Sequence, residues 1–193
     1  MDIDPQLLEE ALRTLGEVLE SRGQTYEVVV IGGSGLMLLG LVSRPTRDLD
    51  ALALVERGAY VSADPVPPPL AAAVESVGRT LGLSDDWLNP GPTEILRFGL
   101  PNGFEDRVER RRFGGLSLQV AGRLDQICFK LYAAADQGIG SKHAADLRRL
   151  DPSPDELLTA ARWSRTHDPS DGYREALVAI LTALGVESSD ADL

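Results

Sequence analysis

The sequence is poor in the residues that carry disulfide and histidine chemistry. Its 193 residues include one cysteine, Cys128, and two histidines, His143 and His167. A single cysteine excludes an internal disulfide, and two histidines so far apart in the chain do not make a histidine-based metal site. We therefore expect a cytoplasmic protein whose chemistry depends on other side chains.

Long hydrophobic runs are also lacking. No apolar run reaches the roughly 18 to 20 residues that span a membrane, so we expect no membrane partner. The N-terminal stretch MDIDPQLLEE is acidic, unlike a secretory signal. An apolar fraction of 43% and a charged fraction of 25% are typical of a globular chain with a sizeable core.

Positive charge is scarce and unevenly distributed. The formal net charge of −11 argues against non-specific nucleic-acid binding by the chain as a whole. One local cluster is basic although the chain as a whole is acidic: Arg107, Arg110, Arg111 and Arg112. This cluster could contact RNA phosphates or, as a solvated strand edge, discourage aggregation, and the sequence favours neither interpretation.

The hydrophobic pattern predicts an α/β (α+β) chain in two parts. Strand signals at 26–31, 47–55, 94–99, 107–113 and 116–120 predict a small mixed sheet, and the proline-rich stretch 56–69 is predicted to be a surface loop. From residue 123 onward the apolar spacing becomes helical. We expect a core domain over residues 1–122, a helical subdomain over 123–186 and a flexible tail over 187–193.

A glycine-rich turn, Gly32-Gly33-Ser34-Gly35, separates a buried strand from an apolar helix predicted over residues 36–42. The turn is neither a Walker loop, because no lysine follows, nor a dinucleotide fingerprint, because Leu38 stands where a glycine is required. Such a turn brings backbone N–H groups close to a phosphate, to which Ser34 can also donate its hydroxyl. A simple chain reversal is the alternative.

Two carboxylates follow the turn. Asp48 and Asp50 are two positions apart on a predicted strand and so project from one face, which we expect Leu52 and Leu54 to share. Two like charges beside a core are costly unless a cation neutralises them, and Mg²⁺ prefers carboxylate oxygens. A solvated strand end is the alternative.

Together these residues resemble a known superfamily. Gly33-Ser34, a helix and then Asp48-x-Asp50 are similar to the signature of the DNA-polymerase-β-like nucleotidyltransferases. The fuller pattern G-G-S-G-x(8)-R-x-T-x-D-L-D resembles the AbiEii/MenT-type nucleotidyltransferases, many of which are toxins of toxin–antitoxin pairs. That subgroup also carries a lysine on a later helix and a K-x-x-x-D-L segment, which Lys130 and the stretch 142–147 match. The resemblance extends from about residue 28 to residue 150.

The resemblance implies a polymerase-β-like core and transfer of a nucleoside monophosphate from an NTP to an RNA acceptor, with tRNA preferred and an antitoxin protein restraining the activity. Asp48 and Asp50 would hold Mg²⁺, and Gly33, Ser34 and Lys130 would bind the NTP. Asp146 would act as a base or orient the attacking hydroxyl, so that the helical subdomain completes the active site. A third metal-side carboxylate would come from one of four acids: Glu94, Glu105, Asp106 or Glu109.

Two other functions remain open on the sequence. An enzyme of the same chemistry acting on a small molecule such as an aminoglycoside is favoured by the acidic net charge, because cationic acceptors prefer acidic pockets. A nucleotidyltransferase fold that only binds its ligands is disfavoured, because packing alone does not require all of these residues: Ser34, Asp48, Asp50, Lys130 and Asp146.

Overall fold

The structure is a computed structural model that describes residues 2–186, and these fall into two units. Unit 1 comprises residues 2–100 and 105–122, and unit 2 comprises residues 101–104 and 123–186. The predicted flexible tail at 187–193 lies outside the described residues. The predicted fold class is confirmed, since a mixed α/β part with a sheet of six described strands is followed by a helical part.

The elements alternate irregularly in the first part and are all helical in the second. In chain order the first part contains α1 (Pro5–Ser21), β1 (Tyr26–Ile31), α2 (Gly32–Leu38), β2 (Leu49–Glu56), β3 (Ala59–Ser62), α3 (Pro68–Leu81), β4 (Leu88–Asn89), a 3-10 helix (Gly91–Phe98), α4 (Phe104–Arg107), β5 (Glu109–Phe113) and β6 (Leu116–Val120). The second contains α5 (Arg123–Gln137), α6 (Lys142–Leu150), α7 (Pro154–His167) and α8 (Asp171–Ala183).

The sheet of unit 1 is centred on β1, in the order β3-β2-β1-β6-β5. β1 runs parallel to β6 and antiparallel to β2, and the short β4 pairs with β2 in parallel. Val28 to Ile31 are buried, as expected for a β-branched run covered on both faces. This central strand positions the glycine turn that follows it.

Three local predictions were wrong. The helix predicted over residues 36–42 is α2, so the glycine turn is the first turn of that helix rather than a segment before it. Residues 94–98 are not a strand but the end of the 3-10 helix, because Pro92 fixes a helical φ in its first turn, which the bond from Thr93 N to Pro90 O closes at 3.0 Å. The predicted loop 56–69 contains β3. Arg57 and Gly58, with φ of 52° and 82°, form the two-residue hairpin turn that pairs β2 with β3.

A bulge in β2 corrects the predicted side-chain pattern of that strand. The pairing register shifts between Val29 and Val30, so Asp50 lies opposite Ile31 while Leu54 lies opposite Val28. Opposed residues share a face, and residues three apart on β1 lie on opposite faces. Leu54 is therefore on the other face of the sheet from Asp50, because the extra residue in β2 reverses the alternation.

Unit 2 is organised around α5, which packs against α6, α7 and α8. Its apolar residues Ile127, Cys128 and Leu131 are fully buried. α7 begins with a capping box in which Ser153 and Glu156 exchange backbone and side-chain hydrogen bonds. Burial alone would raise the pKa of the Glu156 carboxyl, but hydrogen bonds from Arg123 and from the Ser153 backbone hold that pKa below its ordinary value.

Candidate active site

The glycine turn and the first acid of β2 are in direct contact. Gly32 has φ of 75°, and a Cβ at this position would overlap with Asp50 Oδ2. Only glycine therefore allows the Asp50 carboxylate to lie against the start of α2. Ser34 is fully buried beneath it, accepting a hydrogen bond from Asp50 N at 3.3 Å and donating to Ile31 O at 3.3 Å.

Asp48 is held by a residue from a third strand. Asn89, which β4 places opposite Asp50, donates from Nδ2 to Asp48 Oδ2 at 3.3 Å. The amide orientation of Asn89 is set from its other side, because its Oδ1 accepts from Gly91 N at 2.9 Å. Asp48 and Asp50 are both half-buried, so a ligand could reach the two carboxylates.

A cationic side chain borders the same turn. A Cβ at Gly33 would lie 3.1 Å from Thr46 Oγ1 and 3.4 Å from a guanidinium nitrogen of Arg44. Thr46 also donates to Asp48 O at 3.3 Å, which ties this segment to the acids. The turn is therefore bordered by Arg44 on one side and by the Asp50 carboxylate on the other.

The donor set fits one hard divalent cation. Mg²⁺ is commonly held by one or two protein carboxylates, with water and substrate phosphates completing its shell. Asp48 and Asp50 supply two carboxylates, and the missing Cβ of Gly32 lets the Asp50 oxygen lie close to the backbone there. Between residues 2 and 186, no group of three or more His, Cys, Asp or Glu residues is arranged to hold a metal.

The four candidates for a third carboxylate lie in different settings. Glu94 pairs with Arg97 at 2.8 Å, and Glu109 pairs with Arg111 at 2.6 Å. Glu105 and Asp106 are exposed on α4. The geometry within this part of the chain therefore gives no third carboxylate beside Asp48 and Asp50, and a cation here would depend on two protein carboxylates.

In unit 2, Lys130 and Asp146 lie together. Lys130 Nζ is 2.9 Å from Asp146 Oδ2, and the two side chains are 4% and 0% exposed. Arg149 approaches the other oxygen of Asp146 at 3.5 Å. The two residues that the resemblance assigned to the later helices thus form a buried ion pair between α5 and α6.

The arginine cluster is divided by the alternation of β5. Arg110 and Arg112 are exposed and share one face of this edge strand. Arg111 lies on the opposite face, where it donates to Leu38 O at 2.5 Å and pairs with Glu109. The four arginines therefore do not form one continuous basic surface, and Arg110 and Arg112 are the pair left exposed together.

Several polar residues of these regions were not singled out from the sequence. Asn89 has no place in the sequence predictions, and nothing near it in the chain signals a partner 41 positions away. Arg44 stood inside the quoted motif without a role. Asp125 and Gln126 are fully buried on α5, and a charged residue in an otherwise apolar helical stripe was the available signal.

None of the helices within residues 2–186 has both the length and the apolar character that a membrane span requires.

A family profile described as "Nucleotidyltransferase of unknown function (DUF6036)" matches residues 7–149, well over half of the chain. Searches of the curated proteins and of the solved structures gave no match.

Proposed function

Because this chain belongs to the nucleotidyltransferase family DUF6036, we propose that it transfers the nucleoside monophosphate of an NTP to an RNA acceptor, with tRNA preferred. In this reaction an acceptor hydroxyl oxygen bonds to the α-phosphorus, the bond from that phosphorus to the β-phosphate oxygen breaks, and pyrophosphate leaves. The observation that carries the proposal is the contact of the Asp50 carboxylate with Gly32, above the buried Ser34 hydroxyl.

The glycine turn and the residues beside it have distinct roles in this proposal. Asp48 and Asp50 would hold Mg²⁺, which when bound neutralises phosphate charge. The backbone N–H of Gly33 would bind a phosphate oxygen, Ser34 would do so once its hydroxyl turns away from Ile31 O, and Arg44 would add positive charge. Asn89 keeps the Asp48 carboxylate oriented, so it is a positioning residue.

Lys130 and Asp146 keep the roles that the resemblance implies. Lys130 would supply charge for the triphosphate, and Asp146 would deprotonate or orient the attacking hydroxyl. Their burial as a pair supports the idea that both are held in defined orientations. The same burial means that the pair also contributes to stability.

The RNA acceptor and the toxin role are supported by weaker observations. Arg110 and Arg112 present two exposed guanidinium groups on one face of an edge strand, a geometry that suits phosphates. The toxin role, and with it a restraining antitoxin protein in the cytoplasm, is supported by the motif resemblance alone. A small-molecule acceptor is the second candidate, favoured by the net charge of −11.

The first experiment measures transfer directly. Purified protein with Mg²⁺ is incubated with each α-³²P-labelled NTP and total tRNA, alongside the Asp50→Asn variant. Asp50→Asn keeps the shape of the side chain and removes its charge, so we expect about a 10³-fold loss of labelling, the scale of removing one stabilising group from a transition state. Asp85→Asn, an exposed acid of the same unit, is the matched control and should label normally.

The outcomes separate the candidates. Label on tRNA from one or two NTPs, lost in Asp50→Asn alone, supports the proposal and identifies the nucleotide. Label on an aminoglycoside but not on RNA would replace the RNA acceptor by a small molecule. Labelling of equal strength in Asp50→Asn would overturn the assignment of the site.

The toxin role has its own test in cells. Induced expression of the wild-type chain should arrest bacterial growth, and Asp50→Asn expressed to the same level should not. Normal growth at a level of protein that labels tRNA in extracts would contradict the toxin role while leaving the transfer activity intact.

A further inference from the structure

Unit 1 has a second polar pocket, distant from the Asp48–Asp50 site. It encloses about 340 Å³ and its polar lining residues are Glu27, Arg57, Tyr60, Glu105, Arg110 and Gln119. Val55, at its edge, follows Asp50 by five positions on β2, so about 3.3 Å per residue places the two about 16 Å apart along the strand. Because of the bulge in β2, Val55 and Asp50 lie on the same face of the sheet.

The floor of this pocket is a fixed chain of polar side chains. Gln119 is 5% exposed and accepts a hydrogen bond at Oε1 from Tyr60 Oη at 2.9 Å. Its Nε2 donates to Glu27 Oε1 at 2.6 Å. These bonds link β3, β6 and β1 and determine the orientation of the Gln119 amide. Packing at this position could be provided by an apolar residue. It therefore does not explain why a buried amide with a defined orientation is found there.

The rim of the pocket carries two arginine side chains that make no ion pair with the described part of the chain. Across residues 2–186, neither the Arg57 nor the Arg110 guanidinium takes part in an ion pair or a side-chain hydrogen bond. The hairpin turn holds Arg57 with φ of 52°, and the edge strand β5 holds Arg110. Two such guanidinium groups beside one pocket suit a phosphate, which arginine binds through two parallel N–H bonds.

The acids of the pocket further restrict the chemical class of ligand that it can bind. Glu27 and Glu105 would repel a bare anion, but they can accept hydrogen bonds from N–H groups, as can the Gln119 carbonyl. A ligand with a phosphate at one end and N–H donors at the other matches both features. The volume lies near the lower end of the roughly 300–1,000 Å³ of small-molecule sites, which suits one nucleotide.

We propose that this pocket is a second nucleotide-binding site, which takes one nucleoside monophosphate unit. Arg57 and Arg110 bind its phosphate, while Glu27, Glu105 and the Gln119 amide face its base. The unit is either a free nucleotide or one nucleotide within an acceptor strand, and the second source rests on the proposed function. In that case the strand would run along the sheet face from this pocket toward Asp50.

The test measures binding without transfer. Calorimetric titrations in EDTA, which suppresses metal-dependent binding at Asp48 and Asp50, use AMP, GMP, CMP, UMP, inorganic phosphate and a four-nucleotide RNA. The variant is Arg57→Asn with Arg110→Ala, because asparagine tolerates the positive φ of position 57. Arg22→Ala, an exposed arginine of the same unit, is the matched control.

We expect at least one nucleoside monophosphate to bind the wild-type protein and the control equally, and the double variant at least tenfold more weakly. Binding of the four-nucleotide RNA that is tenfold tighter than that of any mononucleotide assigns the strand, and equal binding assigns the free nucleotide. Unchanged binding in the double variant, absence of mononucleotide binding, or inorganic phosphate binding as tightly as every nucleotide would overturn the proposal. Asp50→Asn should bind as the wild type does, so a failure of transfer leaves this result standing.

Discussion

The acids of unit 1 and the acid of unit 2 are stabilised in opposite ways. Asp48 and Asp50 are half-buried, Asp48 accepts a hydrogen bond from the Asn89 amide, and Asp50 lies against the backbone of Gly32. Asp146 is completely buried and is paired with the ammonium group of Lys130. The first arrangement places two acids close together where they are partly exposed, whereas the second buries one acid with its counter-ion.

This contrast indicates where substitution should separate chemistry from stability. A half-buried acid contributes less to folding than a fully buried ion pair and is accessible to a cation, so its removal should affect activity more than stability. Removing one partner of a buried ion pair strongly lowers the free energy of unfolding, because an uncompensated charge then remains in the interior. Unit 2 should therefore respond in stability as well as in activity.

The largest effect on stability is expected at the buried pair. Asp146→Ala should lower the free energy of unfolding by about 3–5 kcal/mol, because the Lys130 charge remains buried without its partner. Glu175→Ala, at an exposed acid of the same unit, is the matched control and should cost at most about 0.5 kcal/mol. Urea unfolding in a Trp87→Phe background reports on unit 2, because Trp163 is then the only tryptophan.

The double variant Lys130→Met/Asp146→Leu then distinguishes the two roles of the pair. Replacing both charges by apolar groups should restore stability to within about 1 kcal/mol of the wild type. If the pair takes part in transfer, labelling of tRNA stays lost in this stable protein. Recovery of labelling together with stability would make the pair purely structural, and the proposed catalytic roles of Lys130 and Asp146 would be withdrawn.

The second prediction concerns the contact between Gly32 and Asp50. Gly32→Ala and Gly23→Ala both place a side chain at positive φ, which costs about 1–2 kcal/mol. At Gly23 nothing lies within 4 Å of the added Cβ, whereas at Gly32 the Cβ must displace the Asp50 carboxylate. We expect the same conformational cost in both variants, but about a 100-fold loss of transfer in Gly32→Ala alone. Normal transfer in Gly32→Ala would remove this contact from the site.

The first part of the chain shows which structural elements can be predicted from local sequence patterns. Long periodic segments were predictable, as in α1, where Asp4 caps the helix by accepting from Leu7 N and leucines at a helical spacing form its buried face. The β3 strand and the 3-10 helix were not, because they depend on turn geometry within a few residues. The bulge in β2 depends on pairing with β1, which no local pattern in β2 reveals.

The candidate site divides in the same way. The order of the motifs predicted Gly33, Ser34 and the two acids as site residues, because they lie within one strand–turn–helix–strand segment. Asn89 could not be predicted, since its contact with Asp48 arises only once β4 pairs with β2. The division of the arginine cluster likewise required the strand assignment of β5, because alternation separates Arg111 from its two neighbours.

A smaller effect on activity is expected at Asn89. Asn89→Ala removes the hydrogen bond to Asp48 Oδ2 but no charge, so we expect about a tenfold loss of transfer, the lower range for a group that orients a metal ligand. Because the loss would act through the metal site, raising the Mg²⁺ concentration should recover part of it. Asn102→Ala is the control outside this contact. A loss in Asn89→Ala that Mg²⁺ does not relieve would contradict a positioning role toward the metal.

The smallest effect is a pH dependence confined to unit 2. Hydrogen bonds from Arg123 and Ser153 outweigh the effect of burial and keep the pKa of Glu156 below its unfolded-state value of about 4.3. A lowered carboxyl pKa means that the charged form stabilises the fold above the unfolded-state value. This contribution is lost as pH falls through the lower folded-state pKa.

Glu156→Gln isolates that charge, because glutamine can still complete the capping box with Ser153 while the ion pair with Arg123 is lost. At pH 7 we expect the variant to be less stable than the wild type by about 0.5–1 kcal/mol, a small value because both side chains are partly exposed. The difference should shrink as the pH falls through the lowered folded-state pKa of Glu156. Urea unfolding of both proteins in the Trp87→Phe background, at a series of pH values from 7 downward and followed through Trp163, measures it. A difference that stays constant across the series would assign the effect to packing of the Glu156 side chain rather than to its charge.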